Sequence, residues 1–152
     1  MRTTPSLLDE LHLLLDRLGR CGYLIHQFDH DGRNGPATVA GVLDWGGCAD
    51  VVILHDETHA VAYRMPTEPG TDVLAPTAVF WSYASCPVWT LRALLTLAPP
   101  GHPDAPVTLT AAPPGLGLAS DHRLPVRVRR RVWLNNPQLS HRLVNPSAGN
   151  RP

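Results

Sequence analysis

Lysine is absent from this chain of 152 residues, so all 13 of its cationic side chains are arginine. That absence removes whole classes of chemistry. No Schiff base can form on a lysine, and no phosphate-cradling loop of the GxxxxGK[ST] kind can exist. Phosphoryl-transfer designs that set a lysine against the transferred group are excluded as well. A GC-rich genome would produce such a bias, and the chemical consequence holds whatever its origin.

Cysteine is scarce too. Cys21, Cys48 and Cys86 make an odd number with no CxxC spacing, which argues against a disulfide framework and against a zinc ribbon. Long apolar runs are missing, and no stretch approaches the roughly 18 residues that a membrane-spanning helix needs. The first residues, Met1-Arg2-Thr3-Thr4-Pro5, lead directly into a charged helical pattern without the apolar core of a secretory signal. A cytoplasmic protein with no membrane partner is the expectation. The formal net charge is zero, so no whole-molecule field draws it to nucleic acid or membrane.

The charge is nevertheless unevenly placed. Residues 1–122 carry all 13 acidic side chains, whereas residues 123–152 carry seven arginines and no acid. These two parts should attract one another or seek different partners.

The clearest local signal is over residues 5–20. Leu7, Leu8, Leu11, Leu14, Leu15 and Leu18 fall on one face of a 3.6-residue period. Thr4 or Ser6 can cap the start, with Asp9 three residues after Ser6. Residues 23–28 suit a strand or a further helical turn. From Pro36 to Trp45, proline at a first turn followed by Ala, Val and Leu suggests a short helix ended by Gly46-Gly47. Residues 50–55 are a β-branched run and 59–65 alternate, which predicts a hairpin. Residues 79–83 suit a third strand. A second helix follows, with Ser85 as its cap and Val88, Leu91, Leu94 and Leu95 as its stripe.

The expected fold is therefore α+β: a small antiparallel sheet of about three to four strands with two to three helices on one face, and a proline- and arginine-rich tail. Residues 1–98 form the compact domain, residues 99–122 a Pro/Gly-rich linker and residues 123–152 a basic tail. Ten of the 16 prolines lie beyond residue 98. Within the tail, residues 125–134 can form an edge strand docked on the domain.

Five groups of residues are candidates for chemistry. His26 and His30 share a face with Asp29 if that segment is helical, and His55 and His59 flank the hairpin turn. Together these are weak candidates for a metal site, because their spacing matches no metal motif. Cys86, in the first turn of a helix, is placed where a thiolate is stabilised, but a nucleophile also needs a base, and His26 or His55 serves only if the fold brings it there. Among the acids, Asp44 and Asp50 bracket Gly46-Gly47, and Asp56 and Glu57 stand at the hairpin turn, where acids commonly make local hydrogen bonds. No catalytic residue is assigned and no cofactor is expected. The aromatic residues Trp81, Tyr83 and Trp89, with Phe80 pointing away from Trp81 and Tyr83 on a regular strand, suggest a surface for another protein. Finally, Arg127, Arg129, Arg130 and Arg131 with Trp133 suit a phosphate backbone and a stacked base, making nucleic acid the alternative partner. A small metal- or thiol-dependent enzyme is the third possibility. The favoured function is a small non-catalytic protein-binding or regulatory module.

Overall fold

The computed structural model describes residues 6–28 and 38–118 and, for 126–129, the backbone. Helix α1 (Leu7–Arg20) begins at Ser6, whose hydroxyl accepts the Asp9 amide at 3.1 Å while the Asp9 carboxylate accepts the Ser6 amide. This reciprocal capping box satisfies two donors that the first helical turn leaves without partners. Leu11, Leu14, Leu15 and Leu18 are buried, whereas Leu7 stays exposed.

Five strands follow as an antiparallel meander: β1 (Leu24–Phe28), β2 (Thr38–Asp44), β3 (Cys48–Leu54), β4 (Ala60–Pro66) and, after the two-residue β5 (Ala78–Val79), β6 (Trp81–Ser85). Helix α2 (Pro87–Leu95) closes this part. The two-residue β7 (Thr110–Ala111) pairs with β5, and β8 (Val126–Arg129) pairs antiparallel with β1. The main sheet runs β6-β4-β3-β2-β1-β8. The class is thus α+β, with an antiparallel sheet and helices on one face. It has more strands than the three to four expected, and two helices.

The additional strand comes from the segment read as a short helix. Thr38, Val39 and Val42 are β-branched, and a half-formed sheet on each side offers ladder partners that outweigh the helical preference of Ala40 and Leu43. Gly41 is a packing glycine, because a Cβ there would lie 3.2 Å from Val52 Cγ1 and 3.4 Å from both Leu18 and Ile25 methyl groups. The cap of α2 also differs from expectation. Cys86 occupies the N-cap without a side-chain hydrogen bond, and Pro87 takes the first helical position.

Both faces of the sheet are covered. On the helical face, Leu11, Leu15, Leu18, Leu91 and Leu94 pack on Ile25, Val39, Val52, Leu54 and Ala62. On the opposite face, Phe28, Val51, Ile53, Val61 and Tyr63 are covered by Leu74, Val79, Leu116 and Leu118. Double coverage explains why β3 is buried along its whole length and why every residue of it except Asp50 is apolar. The stretch 99–118, proline- and glycine-rich and read from composition as linker, contributes Leu116 and Leu118 to that second layer.

Gly117 lets this layer close. The Leu118 amide donates to the Leu74 carbonyl at 2.8 Å, and a Cβ at Gly117 would sit 2.3 Å from that same oxygen. Relief requires backbone movement, so Gly117→Ala is expected to lower stability by about 1–3 kcal/mol. Urea unfolding measures this directly, and a loss under about 0.5 kcal/mol, as at an ordinary surface position, would show that the segment is not held there.

Candidate functional site

β6 is the outermost strand beyond β4, and among the described residues nothing pairs with its outer side. It reads Trp-Ser-Tyr-Ala-Ser and contains no charge. Residues Trp81 and Tyr83 lie opposite Arg64 and Ala62 in the register, hence on the helical face. Their rings stack at 6.4 Å with an interplanar angle of 7°. Trp81 packs against the core, while Tyr83 is exposed.

The Phe80 amide donates to the Arg64 carbonyl at 2.8 Å, and the residue paired with Arg64 is Trp81. The ladder between β4 and β6 ends at this pair, and Phe80 lies just outside β6, so the alternation of a regular strand does not fix where its side chain goes. It lines a cleft on the helical face together with Arg64 and Cys48.

That cleft has a volume of 340 Å³ and lies under the loop that leaves α2, with Trp45 and Val107 at its exposed mouth. At its base is a buried ion pair. Arg64 Nε and Nη2 donate to the two carboxylate oxygens of Asp50 at 2.6 and 2.8 Å, and Nη1 donates to the Ala98 carbonyl at 2.7 Å. Arg64 is 2% exposed and Asp50 is 3% exposed. Burial works against the arginine's charge, but the Asp50 hydrogen bonds and charge outweigh it and hold Arg64 more firmly protonated than usual. Burial, aided by the Asp50 charge, pushes the neighbouring Tyr23 hydroxyl well up. Burial likewise pushes the Cys48 thiol up, which leaves it a poor nucleophile. Sequence reading singled out neither Arg64 nor the cleft. The available signal was the hairpin register, which places Asp50 and Arg64 opposite each other within two otherwise apolar arms.

The other expected residues fall as follows. Trp89 is on α2, away from the Trp81–Tyr83 stack in its ring contacts, with the Arg92 guanidinium 4.7 Å above it. Arg92 in turn pairs with Glu10 of α1. His26 is in strand β1, so its segment is not the helix that would align it with His30, which lies outside the described residues. Its ring stacks on Phe28 on the loop-covered face, where burial lowers its pKa. His55 and His59 do come together, their rings 5.1 Å apart across the turn. The Asp56 carboxylate accepts the amides of Thr58 and His59 there, and although partial burial opposes it, these bonds draw its pKa down. Asp44 accepts the Gly46 amide in the β2–β3 turn. Among the described residues no group of three or more His, Cys, Asp or Glu side chains could hold a metal ion. Cys86 faces a groove with Leu7, Leu11, Glu57 and Val88, on the opposite side of the sheet from His26. Arg127 and Arg129 belong to β8, while Arg130, Arg131 and Trp133 lie outside the described residues. No described helix is long and apolar enough to cross a membrane.

Comparison with known proteins finds no matching family model, no matching curated protein and no matching solved structure.

Proposed function

We propose that this chain is a small non-catalytic module that binds another protein by accepting an extended partner segment along the outer edge of β6. The observation that carries the reading is the uncharged terminal strand with the Trp81–Tyr83 stack upon it. An edge strand offers a row of backbone donors and acceptors, and proteins commonly blunt such edges with charges. β6 has no charge. In strand addition the main-chain bonds supply affinity, and alternate side chains supply specificity. Here Tyr83 gives an exposed aromatic ring for the partner to cover, held in place by Trp81 beneath the same face.

The test is selection of ligands from a displayed library of random peptides on the immobilised full chain. Selected peptides should be extended and rich in β-branched or aromatic residues. Tyr83→Lys should weaken them about tenfold or more while costing no more than about 1.5 kcal/mol of stability, the scale of the lost stack on Trp81. N-methylation of alternate peptide amides should abolish binding in one register and spare it in the other. Peptides that bind wild type and Tyr83→Lys equally, and tolerate N-methylation in both registers, would defeat the reading.

A further inference from the structure

The cleft under the loop after α2 carries a second, separate inference. A guanidinium has five N–H donors. Two of those of Arg64 go to Asp50 and one to Ala98, which leaves one N–H on each terminal nitrogen without an acceptor among the described residues. The side chain is 2% exposed, so what contact these donors have with anything outside the protein is through the cleft that Arg64 lines, and a buried donor without a partner is costly. Arg64 also lines the cleft, whose other walls are apolar or aromatic: Trp45, Phe80, Ala105 and Val107. A concave, mainly apolar space of 340 Å³ with one convergent polar group has the composition of a small-molecule site, at the lower end of the usual range of roughly 300–1,000 Å³.

We infer that this cleft binds a small, uncharged, apolar molecule bearing a carbonyl oxygen, with the ring or branched part against Trp45, Phe80 and Val107 and the oxygen accepting from Arg64. The charge state follows from Asp50. Its bidentate carboxylate already neutralises the guanidinium, so an anionic ligand gains little attraction and loses its hydration on entry. A neutral carbonyl satisfies the remaining donors without that penalty. This inference is independent of the β6 edge, because neither Tyr83 nor the outer side of that strand takes part.

The experiment titrates the full chain with benzamide, toluene and benzoate, following the Arg64 guanidinium signals and the Val107 backbone amide by NMR. Benzamide should shift both saturably, with a dissociation constant of roughly millimolar, as befits so small a ligand. Toluene, which has the ring but no acceptor, and benzoate, which is charged, should each bind about tenfold more weakly, the scale of one hydrogen bond. Ala105→Trp, which fills the cleft, should abolish the benzamide shifts. Trp45→Ala, at the exposed mouth, should weaken binding several-fold while the Arg64–Asp50 signals stay in place and report an intact fold. Absence of any saturable benzamide shift would mean that the cleft holds only water and would overturn the inference. So would equal binding of toluene or benzoate, or benzamide binding unchanged in both variants.

Discussion

Replacing Asp50 with alanine is expected to cost about 3–5 kcal/mol of stability, the loss typical of removing one partner from a buried ion pair. The reason is less the attraction lost than the charge left behind. Arg64 would keep its positive charge, because no pH accessible to a folded protein neutralises a guanidinium, and it is 2% exposed. Its fork would retain a bond only to the Ala98 carbonyl. At about 2–4 °C per kcal/mol for a chain of this size, the midpoint of thermal unfolding should fall by roughly 6–20 °C. Replacing the pair together, Asp50→Leu with Arg64→Met, should cost far less, because an apolar pair of similar volume avoids the desolvation penalty altogether. Denaturant unfolding of the single and double variants separates the two effects. A single variant within about 1 kcal/mol of wild type would mean that the guanidinium reaches water, as exposed pairs do.

The second large effect is expected at Leu18. This side chain is fully buried and reaches from α1 over Gly41, where a Cβ would meet its methyl group at 3.4 Å. Leu18→Ala should cost about 2–5 kcal/mol, combining lost transfer energy with the cavity that a rigid sheet cannot close. The geometry adds a coupling prediction. Gly41→Ala in wild type pushes against Val52 and Leu18, whereas in the Leu18→Ala background one of those contacts is gone and the new methyl fills part of the cavity. The double variant should therefore be more stable than the sum of the single effects by about 0.5 kcal/mol or more, as for residues in direct contact. Additive behaviour in urea unfolding would contradict the described packing of α1 on β2.

What the sequence conveyed of this fold follows from how local each signal is. Helix α1 was legible because leucines at helical spacing, and Ser6 three before Asp9, are contained within one segment. The β3–β4 hairpin was legible from a β-branched run, an alternating run and a short turn between them. Strand β2 was not, since Pro36, Ala40 and Leu43 resemble a helix start and only neighbouring strands decide otherwise. The second covering layer was hidden for another reason. Leu74, Leu116 and Leu118 lie in segments without periodicity and reach the sheet only through long-range contacts such as that between Leu118 and Leu74.

The candidate sites divide in the same way. Trp81 and Tyr83 could be placed on one face from alternation alone, but that the strand starts only at Trp81, leaving Phe80 outside it to line the cleft, is a property of pairing with β4. Trp89 was grouped with them by sequence proximity, and the start of α2 carries it to Arg92. The cleft joins the β2–β3 turn, the end of β4, the start of β6 and the loop after α2. No local pattern announces such a convergence.

The most direct measurement of the account is hydrogen exchange at the amides of β6 in the full chain, with and without a peptide selected for binding. Strand addition predicts slowed exchange at alternate amides within Trp81–Ser85, those not already bonded to β4, and little change in α1. Unchanged exchange across β6 under saturating peptide, with protection appearing at another surface, would contradict the account.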